Sequence, residues 1–303
     1  MSAAAATPSS LATLALALGS QACRFDADWL DECDSTNAVL LARAEAGAPG
    51  GAIVIATRQT AGRGRRGRAW ISAPGDSLSF SLLWRFAPGT SPAGLSLAVG
   101  VALARALEKV GAGPPQADAS PPVGGSEPGL RAWGGIKVGA GGTASAGTPC
   151  SEWTAIQLKW PNDLLLGGRK LGGILIELLP GAPHVAVIGI GLNLRLPVTL
   201  PDDLRARSAA LDYAGDPGGL LAVILTELLA VLENFTREGF AGQRDAWLAR
   251  HAFADAPIQL LSDFAAPRAG ICRGVAADGA LLLEVAGQIE RVLSGEVSLR
   301  GVA

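Results

Sequence analysis

The order of apolar and polar positions predicts a domain that mixes strands with helices. Residues 52–56 form a continuous apolar run, typical of a buried strand, and residues 78–84 alternate as a half-buried strand does. Apolar positions at helical spacing predict a helix over residues 95–110 and a longer one that begins at Asp216 and Pro217. The same patterns predict strands at residues 156–160, 173–179 and 184–194 and helices at residues 38–46 and 243–251.

The pattern changes near residue 256, where the apolar segments become short. A turn at Asp278 and Gly279 joins two of the strands that this region predicts. Together they predict a small β-barrel of about 45 residues. The candidate strands lie at residues 258–261, 268–275, 280–285, 288–293 and 296–299.

Glycine and proline divide the rest of the chain. Residues 111–151 hold 11 Gly, 6 Pro and 4 Ser, too little apolar surface to offset the entropy of ordering them. We interpret them as a flexible insertion, because core elements are predicted on both sides. Residues 1–28 are expected to be a poorly ordered, Ala-rich extension or a short helix. The domains predicted are residues 29–255, mixed α+β, and residues 256–303, all β.

Composition excludes several classes of protein. Of 303 residues, 49% are hydrophobic and 17% charged, which excludes wholesale disorder. The net charge of −2 argues against a protein that coats nucleic acid nonspecifically. Four scattered Cys and two His offer no zinc site and suit a reducing cytosol. No uninterrupted apolar run approaches the length of a bilayer span, so a cytoplasmic protein is expected.

The strongest local motif is a loop rich in arginine and glycine at residues 58–68. It contains five Arg, three Gly and no acidic residue, and it follows a predicted buried strand. Glycine lets backbone N–H groups approach a ligand, and arginine matches phosphate or carboxylate oxygens. The loop therefore indicates anion binding, although a solvated basic turn or a nucleic-acid contact would have the same composition.

A second motif places Lys159, Asn162 and Asp163 shortly before Lys170. Asn162 and Asp163 end a predicted strand, where they can reach a nucleotide or a magnesium ion. Lys170 sits at the entry to the next strand and could neutralise charge on a carboxylate and a phosphate. A hairpin with an exposed lysine is the alternative.

Two weaker motifs have equally simple structural explanations. Residues 34–37, Asp-Ser-Thr-Asn, precede a helix, and helix capping alone could explain them. Residues 189–193 end a strand with two glycines and an asparagine, which suits either close approach of a ligand or a tight bend.

Taken in order, these motifs resemble those of the biotin protein ligases. The resemblance extends from about residue 30 to residue 300, without the insertion. It implies an α+β fold: a mixed-sheet catalytic domain of the class II aminoacyl-tRNA synthetase and biotin ligase type, with helices on one side of the sheet. It also implies a small SH3-like β-barrel at the C-terminus.

The resemblance also implies an activity. Biotin would be activated by ATP to biotinyl-5′-AMP and then transferred to a lysine of a biotin carboxyl carrier protein, an acetyl-CoA carboxylase or related carboxylase subunit. Mg²⁺ is expected with ATP, without a metal site of the protein's own. Lys170 and Arg65 would be catalytic. Biotin would contact Ser35, Thr36, Asn37, Gln59, Gly62, Arg63, Gly64, Arg65, Lys170 and Gly173. ATP would contact Arg65, Arg68, Trp70, Asn162, Asp163, Asn193 and Arg300.

Several alternatives and partner predictions remain. A lipoate or octanoate ligase or transferase would use similar acyl-adenylate logic, and a non-enzymatic nucleic-acid binder would use Arg63 to Arg68. About 28 residues precede the region of resemblance, too few for a winged helix, so no DNA binding is expected. No membrane partner is expected either, and a homodimer is a further expectation that the insertion could alter.

Overall fold

A computed structural model describes residues 8–71, 73–111, 156–262, 266–293 and 297–301. The larger part of the chain forms a seven-stranded mixed sheet in the order β1-β2-β3-β7-β6-β5-β4, in which β1 and β2 are parallel and the other pairs antiparallel. Its strands are β1 (Asp26–Cys33), β2 (Ala52–Gln59), β3 (Ser77–Arg85), β4 (Ile156–Lys159), β5 (Asp163–Leu166), β6 (Arg169–Leu179) and β7 (Ala182–Asn193).

Helices cover both faces of this sheet. Ile53 and Ile55 point into the main core beneath two long helices, whereas Val54 points to the opposite face, where Leu40 packs. The expectation of helices on one side was therefore wrong, because the short helix α2 covers the second face. The helices are α1 (Pro8–Leu18), α2 (Thr36–Glu45), α3 (Leu95–Lys109), α4 (Asp202–Arg205), α5 (Pro217–Glu238) and α6 (Arg244–Leu248).

The N-terminal segment differs from a poorly ordered extension. Residues 8–18 form α1, and its Leu14 and Leu18 are buried against the core beside α5. The Ser10 hydroxyl donates to Asp216 Oδ2 at 3.2 Å, and Asp216 caps α5 by accepting from Gly218 N at 2.8 Å. The short-helix alternative is the one that the structure has.

The C-terminal part is a small antiparallel sheet, as the sequence predicts. The strand order is β11-β10-β9-β8-β12. Cys272, Leu281 and Leu283 of this sheet belong to the same buried core as the larger domain. The strands are β8 (Pro257–Ser262), β9 (Arg268–Val275), β10 (Leu281–Val285), β11 (Gln288–Val292) and β12 (Val297–Gly301).

Two contacts hold the small sheet and the segment that precedes it against the edge of the large sheet. The fully buried Trp160 indole donates to Gly279 O at 3.1 Å. Beside it, β4 is paired on its outer edge, because Leu158 N donates to Arg250 O at 2.7 Å and Ala252 N to Leu158 O at 2.9 Å. His251 lies between these two bonds, against Trp247 and Cys272.

Within the described residues, one helical stretch, Pro217–Leu248, has the length and apolar composition of a membrane span. Most of its apolar window is buried in the core, as expected for the central helix of a folded domain.

Candidate active site

A cleft of about 180 Å³ opens where the arginine loop crosses the ends of the central strands. Its walls come from the start of α2, the loop after β2, the turn between β4 and β5, and the glycine-rich middle of β6 and β7. The predicted residues that line it are Ser35, Thr36, Asn37, Gln59, Arg63, Gly64, Arg65, Arg68, Trp70, Asn162, Asp163, Lys170 and Gly173.

The arginine loop is a folded excursion from the end of β2. Arg63 and Ala69 form an isolated β-bridge, and Gly64 N donates to Arg68 O at 2.7 Å. Between them lies a 3₁₀ turn in which Arg66 has a φ of 62°, a left-handed conformation that is uncommon outside glycine. The loop thus turns its arginines toward the cleft on a short, hydrogen-bonded frame.

Arg65 reaches from the loop to the turn between β4 and β5. Its guanidinium lies 3.5 Å from Asn162 Oδ1. Burial lowers the pKa of Arg65, while the nearby Asp163 carboxylate opposes that shift and Arg66 adds to it. A partly desolvated cation interacts with an anionic ligand more strongly than a cation in water does.

At the start of α2, three polar side chains are buried. Ser35, Thr36 and Asn37 are 3 to 4% exposed, and Ser35 makes no side-chain capping bond to the helix. Helix capping therefore does not explain this motif. Instead, Ser81 Oγ lies 2.7 Å from Thr36 Oγ1 and 2.6 Å from Asn37 Oδ1.

The neighbours of Gln59 and Asn37 fix which way each amide points. Gln59 Oε1 accepts from Thr36 N at 2.8 Å, and a backbone N–H can only donate. Asn37 Nδ2 donates to Glu177 Oε2 at 2.7 Å, and an ionised carboxylate can only accept. The orientation of both amides follows from their partners, so the polar end of the cleft has a defined pattern of donors and acceptors.

Lys170 and Asp163 form the charged centre of the opposite end. Lys170 Nζ lies 2.6 Å from Asp163 Oδ1, and Lys159 Nζ lies 3.8 Å from Asp163 Oδ2. The backbone of Lys170 is held as well, since Lys170 N donates to Arg207 O and Ala209 N donates to Lys170 O, both at 2.8 Å. One carboxylate thus faces two ammonium groups, which leaves this end positively charged.

Two glycines of β7 make room for the side chains above them. A Cβ at Gly189 would lie 2.2 Å from Asn37 Oδ1, and a Cβ at Gly191 would lie 2.5 Å from the Trp70 ring. Trp70 also donates from Nε1 to Ser79 Oγ at 3.1 Å. Close approach of the Asn37 and Trp70 side chains explains these glycines, for which the sequence pattern predicts a ligand or a bend.

Two predicted residues, Gly62 and Asn193, are not among the residues that line the cleft. Gly62 accepts from Trp70 N at 2.9 Å and so supports the loop. Asn193 Nδ2 donates to Ala209 O at 2.9 Å and lies 3.4 Å from Lys170 O, which supports the backbone of Lys170. Arg300 belongs to β12, where it pairs with Gln259. The predicted contacts of Gly62, Asn193 and Arg300 with biotin or ATP stay predictions.

Sequence reasoning assigned no role to two polar residues that organise the cleft. Ser81 is fully buried on β3, where it reads as a small residue in an alternating strand. Glu177 contacts both Asn37 and Arg63 from β6, where it reads as a solvent-facing position. The one sequence feature that could have pointed to Glu177 is that an acidic residue follows two glycines, Gly172 and Gly173, on the same strand.

The cleft offers few ligands for a metal. Over the described ranges, no group of three or more His, Cys, Asp or Glu side chains could hold a metal ion. Asp163 is the one carboxylate among the described residues that line the cleft, and it already pairs with Lys170.

Comparison with known proteins matches both parts of the chain. A model of the biotin/lipoate A/B protein ligase family matches residues 29–193, and a model of the biotin protein ligase C-terminal domain matches residues 269–300. The first match alone covers more than half of the chain, and the second falls within the small antiparallel sheet, from β9 to β12.

Individual relatives agree with these matches. The chain is 35% identical over 273 residues to the bifunctional ligase/repressor BirA of Escherichia coli, covering 88% of this chain and 72% of that protein. It is 30% identical to the biotin–[acetyl-CoA-carboxylase] ligase of Paracoccus denitrificans, covering 84% and 92%. The solved biotin protein ligase of Aquifex aeolicus in complex with biotin and ATP superposes with a TM-score of 0.68, at 25% identity, over 91% of this chain and 99% of that one.

Proposed function

The chain belongs to the biotin/lipoate A/B protein ligase family, and we propose that it is an ATP-dependent biotin protein ligase. In the first step, a biotin carboxylate oxygen attacks the α-phosphorus of ATP, and pyrophosphate leaves. In the second step, a lysine amine of a carrier protein attacks the carbonyl of biotinyl-5′-AMP, AMP leaves, and the amine loses a proton.

One observation carries this proposal: the same cleft has a cationic end and a neutral polar end. At the neutral end, hydrogen-bond partners fix the orientation of the amide side chains. Thr36, Asn37 and Gln59 form the neutral end, and Arg65 and Lys170 form the cationic end. A ureido ring offers two N–H donors and a carbonyl acceptor without charge, and a carboxylate chain would extend from it toward the cations. Biotin has this division between its two ends.

The cationic end addresses the main obstacle of the first step, which is repulsion between a carboxylate and a triphosphate. Lys170 is held at Asp163 and through its backbone, so it is positioned before any ligand arrives. Arg65 adds a second, partly buried cation across the cleft. Fixed charges of this kind stabilise a transition state without reorganisation, and holding both substrates converts the encounter into an intramolecular one.

Mg²⁺ bound to ATP suits this cleft better than a resident metal would. Magnesium is commonly held by one or two carboxylates together with substrate phosphates. Asp163 Oδ and Asn162 Oδ1 are the oxygens that the second motif contributes beside Lys170. Bound there, Mg²⁺ would supply neutralisation of phosphate charge.

The wider setting is proposed on similar grounds. The relatives named biotin–[acetyl-CoA-carboxylase] ligases support a biotin carboxyl carrier protein as the acceptor. We propose no DNA partner, because the net charge is −2 and the loop arginines line a cleft. A cytoplasmic location without a membrane partner stays a prediction. A homodimer is also a prediction, and light scattering would measure the oligomeric state.

The test of function is biotin-dependent exchange of labelled pyrophosphate into ATP, with lipoate in a parallel reaction. Exchange with biotin and not with lipoate is expected. Exchange with lipoate alone would assign the chain to the lipoate branch of the family. Absence of exchange with either acid, in folded protein with Mg²⁺, would refute adenylation by this cleft.

A further inference from the structure

We propose that Glu177 is a positioning residue that couples the biotin end of the cleft to the arginine loop. The inference rests on the proposed function, since it assigns biotin to the end of the cleft where Asn37 lies. Glu177 Oε2 accepts from Asn37 Nδ2 at 2.7 Å and lies 3.5 Å from the guanidinium of Arg63. A single carboxylate oxygen therefore contacts both the biotin end of the cleft, through Asn37, and the arginine loop, through Arg63.

The contact with Asn37 fixes an amide that could otherwise turn over. Asn37 Oδ1 faces the Ser81 hydroxyl at 2.6 Å, but a hydroxyl can donate or accept. Ser81 would therefore tolerate either orientation of the amide, and Leu175 O, at 3.4 Å from Nδ2, is a distant acceptor. The carboxylate of Glu177 accepts only, so it decides that the amide oxygen, rather than its nitrogen, points toward Ser81 and Gly189.

The contact with Arg63 ties the loop at its base. Arg63 is the residue that closes the loop through its bridge to Ala69. The side chains of Arg63 and Glu177 are 46% and 27% exposed, so the ion pair adds little to global stability. Its effect is local, because it fixes the first turn of the loop relative to β6.

Because the two contacts share one oxygen, order at the biotin end and order in the loop depend on each other. Loss of the Glu177 charge should loosen the loop even when the amide of Asn37 keeps an acceptor. Loss of the whole side chain should affect both. The Gln and Ala variants therefore separate the two halves of the proposal.

The first experiment measures hydrogen exchange of the backbone amides of residues 60–70 in the ligand-free protein. We expect exchange at least threefold faster in Glu177→Gln and Glu177→Ala than in the natural chain. Glu32→Gln is the control, since it removes the charge of another exposed glutamate that pairs with an arginine, Arg58, at 2.7 Å between β1 and β2. Unchanged exchange in both Glu177 variants, or equal acceleration in the control, would overturn the link to the loop.

The second experiment separates the Michaelis constants in pyrophosphate exchange. Glu177→Ala should raise the KM for biotin at least tenfold and change the KM for ATP less than twofold. In Glu177→Gln, the amide oxygen can still accept from Asn37, so the KM for biotin should stay within threefold of its value in the natural chain. A merely structural defect would lower kcat through a smaller active fraction, so an unchanged biotin KM in Glu177→Ala would overturn the link to Asn37.

Failure of this proposal can be distinguished from failure of the proposed function, because the first test does not require adenylation. The second test applies only where the natural chain exchanges pyrophosphate with biotin. The loop measurement uses no ligand, so it reports on Glu177 even if the natural chain fails to adenylate biotin. If Glu177→Ala does not fold, unchanged loop exchange in Glu177→Gln is enough to overturn the proposal, because the coupling requires the link to the loop.

Discussion

At the scale of single residues, Lys170 is the side chain on which the chemistry depends most. Lys170→Ala should lower biotin-dependent pyrophosphate exchange at least about 100-fold, or about 2.7 kcal/mol, as expected for loss of one fixed charge or donor at the reacting centre. Lys109→Ala, which removes a surface lysine paired with Glu227, is the control and should retain activity. Exchange at the natural rate in Lys170→Ala would remove Lys170 from the mechanism.

A methyl group at Gly189 tests the geometry of the biotin end. A Cβ there would lie 2.2 Å from Asn37 Oδ1, so Gly189→Ala must displace that amide. We expect the KM for biotin to rise at least tenfold. Gly50→Ala serves as the control, because its Cβ would meet Arg85 N at an ordinary 3.5 Å. Equal biotin KM values in the two variants would contradict the assignment.

At the scale of elements, the arginine loop should retain the adenylate. Arg65 is partly buried against Asn162, whereas Arg58, at the start of the loop, belongs to β2 and forms an exposed pair with Glu32. Arg65→Ala should release biotinyl-5′-AMP to solvent faster than the natural chain, because a closed site protects a reactive intermediate from water. Arg58→Ala should not. The check is the rate at which adenylate escapes in a quench assay without carrier protein.

The elements also show what sequence alone could predict. The helix predicted at residues 95–110 is Leu95–Lys109, because its apolar spacing matches a face that is almost wholly buried. Strand β1 was missed, since Asp26–Cys33 carries four acidic residues at a half-exposed sheet edge and owes its form to pairing with β2. A strand that forms by pairing with another segment need not show the apolar alternation from which a strand is predicted.

The candidate site divides in the same way. The arginine loop and Lys170 were identifiable because their composition is unusual for their position in the chain. Ser81 and Glu177 were not, because each is an ordinary polar position in a strand until folding brings Asn37 beside it. The sequence also did not predict whether α1 packs against the core, because its burial depends on α5, about 200 residues away.

At the scale of the whole molecule, the junction between the two sheets should make stability depend on pH. His251 is 8% exposed, and its buried Nδ1 has no hydrogen-bond partner among the residues that the structure describes. Burial lowers its pKa to about 4 against the opposing effect of Asp255. Above pH 6.5 the imidazole is neutral in the folded and unfolded chains alike. Below that pH the unfolded chain takes up a proton that the folded chain does not, so folding weakens as pH falls toward 4.

At pH 4, His251 should lower the free energy of unfolding by about 3 kcal/mol relative to neutral pH. Urea unfolding of the natural chain and of His251→Gln at pH 7 and pH 4.5 measures it. The free energy of unfolding should fall more in the natural chain than in the variant, whose amide does not titrate. Parallel decreases in the two proteins would show that the junction does not sense pH through His251.

The space above Gly189 and Gly191 has a consequence for how this protein tolerates change. These residues contribute no reactive group, yet a single carbon at either one would strike a residue of the cleft. A saturation scan of the chain scored for biotinylation should therefore rank them with Lys170 rather than with ordinary strand residues. To remodel the cleft for a bulkier acid, the side chains above these glycines would have to be changed, since glycine has no side chain that could be shortened.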